Sequence, residues 1–438
     1  MKYANTVSEM LNAFETRPLE GKELDEFYYA DTMKVRMGDD HESPILDIFD
    51  ACEEEQPSTS RIYLLLGHRG CGKSTELNEM SKWLSDDDYQ VDTIPCGLVM
   101  DPYNLDYSDL LIAMGDTLLK MANKLHCHIS EQLLRTLLEF WDEKEITRTT
   151  NESHALNLQA SAAVQSPPLL QMLLKLGGKV TDTLKFTGNR REEVRERVRK
   201  NLEEWNQAMN ELADLIAEKL DGRQPILIFE DLDKLEQDRA WEVFEKHASS
   251  LSAFTFPVIY TFPIALFYDT RFKQLESSFQ YETLPMIMVE RLEGGRCDEG
   301  FDTIRSIVEK RVNLNLFEED VLDLAIEKTG GSLRDLFRVI LKAATRARRR
   351  RSRTVSMVDV QQALKHLKSD LTSRIESKDY VFLANIANGN RKDIEDQKEL
   401  LKMLQGGIVL EYNGDRWHNV HPLVTDFLRE QGHLNHEG

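Results

Sequence analysis

The apolar positions of this chain fall into two rhythms. Residues 62–66, 226–229, 256–263 and 283–289 are apolar at nearly every position, and residues 89–95 read as a further strand. Unbroken runs of this length predict strands of a parallel sheet, buried on both faces. Elsewhere the apolar residues step by three and four, as at residues 74–84, 106–124 and 129–141. That spacing predicts helices with one face on a core. Five strands with helical connections predict an α/β fold on a parallel sheet.

Three regions stand outside that alternation. Ahead of the first strand, residues 10–14 predict a short helix, 27–36 an extended segment, 43–50 a helix and 53–60 a polar loop. Residues 126–190 read as an insertion. Within it, 147–166 is rich in Thr, Ser, Asn, Ala and Gln and has no period, which predicts a mobile loop. Residues 191–220 carry Val194, Val198, Leu202, Trp205, Met209, Leu212, Ile216 and Leu220 on one face. They predict a single amphipathic helix of about 45 Å, its charged face turned to solvent.

Past the sheet, residues 300–368 predict helices only. Gly330 and Gly331 close one, and Ser332 with Asp335 opens the next as a capping box. Residues 380–386 and 393–404 predict two helices, 407–420 a hairpin turning at Asn413 and Gly414, and 422–429 a last helix. Helices followed by a hairpin wing predict a winged helix. Its helix before the wing bears Asp393, Glu395, Asp396 and Glu399 against Lys398 and Lys402. A helix that reads a DNA groove should be basic, so packing or regulation is favoured there. The predicted units are 1–60, 61–295 with the insertion and long helix inside it, 296–370 and 371–438.

At 438 residues, and about 150 per domain, the chain has room for such units. It has no run of eighteen apolar residues and no signal-peptide core at its start, so no membrane span is expected. Five scattered cysteines without a C-x-x-C pair fit a reducing cytoplasm. The formal net charge of −21 argues against non-specific coating of nucleic acid.

The first strand leads into the main chemistry. Gly67, Gly70, Gly72, Lys73 and Ser74 match G-x-x-x-x-G-K-[ST], the glycine loop that cradles phosphates. The candidate cradle is Gly67, His68, Arg69, Gly70, Cys71, Gly72, Lys73, Ser74 and Thr75. Glycines let backbone N–H groups close on phosphate oxygens, and the following helix presents its positive end. Lys73 is expected on the β- and γ-phosphates and Ser74 on Mg²⁺. The third strand ends in Glu230, Asp231, Leu232 and Asp233, where a nucleotide's metal and water are handled. Tyr28, Tyr29 and Ile45 are candidates to pack on a base; ordinary core packing is the plainer expectation. His126, Cys127 and His128 are adjacent and cannot easily converge on one ion, so no metal site is expected there. The basic run of Arg346, Arg348, Arg349, Arg350, Arg351 and Arg353 suits a helix C-terminus or an anionic partner.

The phosphate loop, the acids after the third strand, Thr261, and Gly330-Gly331-Ser332-Leu333-Arg334 come in the order of AAA+ ATPases, which the chain resembles outside residues 126–190. With its winged helix it is similar to origin-recognition-type initiators and to the STAND signalling ATPases. The resemblance implies a P-loop NTPase parallel five-stranded sheet of AAA+ type with a helical insertion, a helical lid and a C-terminal winged helix. It implies Mg²⁺-dependent ATP binding and slow hydrolysis. Glu230 falls at the Mg²⁺-associated acid and Asp231 at the catalytic acid, in the reverse of the usual Asp-Glu order. Thr261 looks like the sensor-one residue and Arg334 like the sensor-two arginine. His421 is similar to the STAND histidine that touches the ADP β-phosphate, though a lone His at a helix start more often serves as a structural cap, and Arg271 is a candidate finger toward a neighbouring subunit. The implied function is an ATP/ADP switch controlling a homo-oligomer or effector partner, as in bacterial antiviral defence or signalling. The alternative is a DNA-associated initiator or loader using the wing and the arginine run. A phosphotransferase would leave the lid and winged helix without a role.

Overall fold

The computed structural model describes residues 1–29, 31–38, 43–53, 61–141, 168–185, 188–392, 394–412 and 415–435. Its centre is a parallel sheet of β1 (Ile62–Gly67), β2 (Val91–Pro95), β3 (Ile226–Glu230), β4 (Val258–Pro263) and β5 (Gln280–Leu284). The strand order is β2-β3-β4-β1-β5. The three inner strands, β3, β4 and β1, are buried at every position, which is why they are the most uniformly apolar. Their register sets Gly67 beside Pro263 and Phe229 beside Tyr260, so the loops after β1 and β3 open on the same edge.

The fifth strand lies upstream of the predicted 283–289. Pro285 has no N–H to donate, so the ladder stops at Leu284. Met286 instead bridges Tyr412, its N–H donating to the Glu411 carbonyl at 3.3 Å. The apolar run is a crossing from the sheet to the C-terminal hairpin. Residues 27–36 are likewise not extended. The helix Lys22–Phe27 ends there, and Met33–Met37 is a second short helix. That turn drives Arg36 inward to donate to the carbonyls of Cys71 at 2.7 Å and Pro285 at 2.6 Å.

The predicted long helix is two, Asn189–Lys200 and Leu202–Lys219, which meet at Asn201. Together with Pro168–Thr183 they pack on Tyr107–Lys124. Asp109 on Tyr107–Lys124 is fully buried and receives Arg191 and Arg195, each at 2.8 Å. Those arginines therefore face inward, where solvent exposure was expected, and a buried carboxylate so paired is satisfied.

Beyond the sheet come Asp298–Glu309, Val321–Thr329, Leu333–Arg349, the helix of the expected lid, and Met357–Thr372. Ser332 caps the lid helix by accepting the Asp335 N–H at 3.3 Å. Tyr380–Ala387, Gln397–Gly406, the antiparallel pair β6 (Val409–Tyr412) and β7 (Trp417–Val420), and Pro422–Glu430 complete the chain. The expected turn at Asn413 and Gly414, the segment 147–166 and residues 54–60 lie outside the described residues. Among the described residues no helix is long and apolar enough to cross a membrane.

Candidate nucleotide site

The loop after β1 turns through Gly70 (φ 91°) and Gly72 (φ 111°) before the helix Lys73–Asp86 begins. Both angles favour glycine. At Gly70 the lack of a side chain also lets the lid in, since a Cβ there would lie 2.5 Å from that of Arg334. The Arg334 N–H faces the Gly70 carbonyl at 3.4 Å.

Lys73 is buried, and its Nζ meets the carbonyls of Gly67 at 2.8 Å and His68 at 3.0 Å and Asp233 Oδ2 at 2.9 Å. Burial works against the ammonium, but Asp233 outweighs it, and the Lys73 pKa ends above its ordinary value. Burial likewise works against the Asp233 carboxylate, and Lys73 pulls its pKa below the usual range. Asp233 was not singled out from sequence beyond membership of the acidic run. The available signal was its place three residues past the end of an apolar strand. Asp231 adopts a left-handed conformation (φ 69°) that turns the chain so that Asp233 faces the loop.

Glu230 ends β3. Burial pushes its pKa up to about 7, against the hydrogen bond it shares with Ser74. Its Oε1 is buried without a hydrogen-bond partner among the described residues. Asp231 is paired with Lys234. Arg69 donates to the Lys234 carbonyl at 2.8 Å, tying the two loops together. Thr261 lies one layer below. Its hydroxyl accepts the Leu232 N–H at 3.0 Å and donates to the Phe229 carbonyl at 3.3 Å, so it braces the acidic turn from beneath.

The N-terminal segment closes one side. Tyr28 donates to Glu76 at 2.6 Å and Thr32 to the same carboxylate at 3.2 Å, while the Leu19 N–H faces the Thr75 hydroxyl at 3.4 Å. Phe14 packs on Phe337 of the lid helix with ring centres 5.5 Å apart. Together these parts enclose a cleft of about 420 Å³, within the range of small-molecule sites. Tyr28, Tyr29, Ser74, Glu230, Asp231 and Arg334 all line it.

Two candidates for the site lie elsewhere, in the plainer roles expected of them. Ile45 is in the core beneath β1, with Leu77 and Met80. His421 is fully buried and caps Pro422–Glu430, its Nδ1 accepting the Leu423 N–H at 3.2 Å. Burial lowers its pKa to about 4, so the ring is neutral at pH 7, and it is not among the residues lining the cleft. Arg271 is held within its own chain, paired with Asp269 at 2.7 Å and lying over Trp241 at 4.5 Å.

No family model and no curated protein matches the sequence. Among solved structures the chain is similar to the Walker-type ATPase paby2304 of Pyrococcus abyssi, at 15% identity and a TM-score of 0.44, over 95% of this chain and 99% of that one. It is similar to Cdc6p from Pyrobaculum aerophilum at 13% identity and a TM-score of 0.37, over 93% and 98%. It is also similar to the ADP form of the Aeropyrum pernix ORC2 protein at 12% identity and a TM-score of 0.41, over 97% and 98%. The strand order, the glycine loop after β1 and the acids after β3, rather than those scores, give the chain a P-loop NTPase fold of AAA+ type.

Proposed function

We propose that the chain is a Mg²⁺-dependent ATPase that acts as a slow conformational switch. The observation that carries this reading is the convergence of the phosphate loop, the acids after β3 and the lid's Arg334 on one cleft. The residues fit a magnesium nucleotide. Glu230 Oε1 is a buried oxygen without a partner among the described residues, its carboxyl lies beside the Ser74 hydroxyl, and a divalent cation would satisfy both. Ser74 and Glu230 would hold Mg²⁺, which when bound supplies charge neutralisation to the phosphate oxygens.

The remaining work falls to this chain's own side chains. The N–H groups around Gly70 and Gly72 bind phosphate, and Lys73 steers it. Asp231 accepts a proton-side hydrogen bond from the attacking water and orients it. Its short side chain and its pairing with Lys234 suit slow turnover. Thr261 keeps the acidic turn in place. Arg334 couples phosphate to the lid, residues 296–370, and through it to a winged-helix unit, 371–438. Differential contact with the last phosphate is what shifts such an equilibrium. In this reading the protein is cytoplasmic and its partner is a further copy or an effector protein; bacterial antiviral defence or signalling is an analogy with STAND proteins.

ATP binding by fluorescence titration and phosphate release with and without Mg²⁺ test the reading. Absence of affinity for Mg²⁺-ATP would reject it. The Glu230 pKa sharpens the test. Its carboxyl takes up a proton as pH falls through about 7, and the protonated form is a poor cation ligand. From pH 8 to pH 6 the ionised fraction drops roughly tenfold. The gain in ATP affinity from Mg²⁺ should shrink by about that factor beyond any change in Glu230→Gln, which retains only the phosphate's own titration.

A second reading, a DNA-associated initiator or loader, has one observation in its favour. Arg346, Arg348, Arg349, Arg351 and Arg353 are exposed at the end of the lid helix with no ion pair among the described residues, whereas Arg350 is bound to Asp359. Duplex DNA binding that weakens steeply with salt, by about 0.9 log units per log unit for each phosphate neutralised, and is lost in an alanine variant of Arg346, Arg349 and Arg353, would support it. No binding at low salt would remove it.

A further inference from the structure

The phosphate loop is tied to the C-terminal hairpin by one of its own side chains. His68 is buried, and its Nε2 accepts the backbone N–H of Glu411 in β6 at 2.8 Å. Burial pushes the His68 pKa down to about 3, so the ring is neutral and that lone pair is free to accept. The Glu411 carboxylate is itself buried and accepts the Tyr268 hydroxyl at 2.6 Å, from the turn that follows β4. Tyr412 donates to the Gly330 carbonyl at 2.7 Å, at the foot of the lid. The hairpin is thus docked on the loop, the sheet end and the lid.

His68 also meets Lys73, through its carbonyl. An ammonium has three N–H donors. The carbonyls of Gly67 and His68 and the carboxylate of Asp233 take all of them. A phosphate that reaches Nζ must displace one of these acceptors. Behind the loop a cavity of about 220 Å³, lined by Gly67, His68, Pro263, Leu404 and Leu410, leaves room for it to shift against the C-terminal unit. The docked arrangement is not fully satisfied. Glu411 Oε1 and both ring nitrogens of His418 are buried without a hydrogen-bond partner among the described residues. Unmet polar atoms weigh against docking and leave it open to displacement.

We propose that the β6–β7 hairpin positions the phosphate loop through His68, so that hairpin docking and binding of a nucleoside triphosphate oppose each other. This rests on the nucleotide reading above. The phosphate chain draws Nζ from the carbonyls of the loop, the loop shifts, and the His68 acceptor leaves Glu411. Linkage is reciprocal, so whatever loosens the hairpin must tighten the nucleotide. His68 is a positioning residue in this scheme.

The test uses the full chain, a fluorescent ATP analogue with Mg²⁺, and amide hydrogen exchange of residues 409–412. Nucleotide is expected to speed that exchange roughly tenfold. Tyr268→Phe alters the hairpin's anchor without touching the phosphate loop's sequence. It should make exchange fast with or without nucleotide and tighten the analogue by a similar factor. His68→Leu should do the same, and His68→Gln, which keeps an acceptor oxygen, should restore the wild-type response. Analogue that binds while exchange at 409–412 stays unchanged overturns the proposal alone. So do variants that free the hairpin yet leave affinity unchanged or weaker. A wild-type chain that binds no analogue overturns the nucleotide reading, and the proposal with it.

Discussion

Lys73→Ala should abolish ATP binding, raising Kd at least about a hundredfold, the scale of removing a buried charged hydrogen-bond donor. The same change should weaken the fold, for a reason specific to this chain. Lys73 is the ionic partner of Asp233; Lys73 is buried and the Asp233 side chain is 9% exposed. Removing one member of a buried pair leaves an uncompensated charge and costs about 3–5 kcal/mol. The pH dependence of stability should reverse with it. In the native chain the Asp233 pKa lies below its ordinary value, so its contribution is present above that value and is lost as pH falls through the lowered one. Without Lys73, the raising effect of burial on the Asp233 pKa is opposed only by the more weakly acting Lys234 and Arg69. The variant should then lose stability, relative to the native chain, as pH rises through the normal carboxylate range. Urea unfolding at several pH values separates this from lost binding, and Asp233→Ala on the Lys73→Ala background should recover part of the deficit. Equal stability of the two chains at every pH would deny the pairing.

The second large effect is expected at Asp231. Asp231→Asn should lower ATP turnover by roughly 10²–10⁴, the range for loss of a group that handles a proton or orients water, while ATP affinity changes little. The backbone favours this substitution as a clean probe. Asp231 sits at φ 69°, a region that asparagine tolerates almost as well as aspartate. What is lost structurally is the part-exposed pairing with Lys234, worth under about 1 kcal/mol. Asp233→Asn should behave differently, since it removes the Lys73 anchor and should disturb binding first. Single-turnover measurements on Asp231→Asn and Glu230→Gln distinguish the roles. If turnover survives the first and fails in the second, the water-handling group is Glu230, and the reversed acid order is a true exchange of roles.

Much of the frame was legible from the chain. The glycine loop, the all-apolar strands before it and before the acids, and the cap at Ser332 depend on neighbours within a few residues. Phase errors arose where a local pattern had two physical uses. The run 283–289 is apolar because it passes beneath the hairpin, and Pro285 forbids the ladder that its composition suggested. The charged face of 191–220 looked solvated because nothing nearby in sequence announces Asp109, which lies more than eighty residues away.

The candidate site divides in the same manner. Residue type and spacing offered the phosphate loop and the acids as candidates, and the family resemblance added Arg334. They did not reveal that Lys73 is held by Asp233, that Arg36 grips the Cys71 carbonyl, or that His68 reaches Glu411. Residue type did favour the structural cap that His421 forms, but not its full burial away from the cleft. Local chemistry is written in periods of two and 3.6 residues and in the turns that glycine and proline permit. Which side chains meet across 35, 160 or 343 positions depends on how the packed layers bring them together, and the buried polar groups then take whichever partner lies within reach.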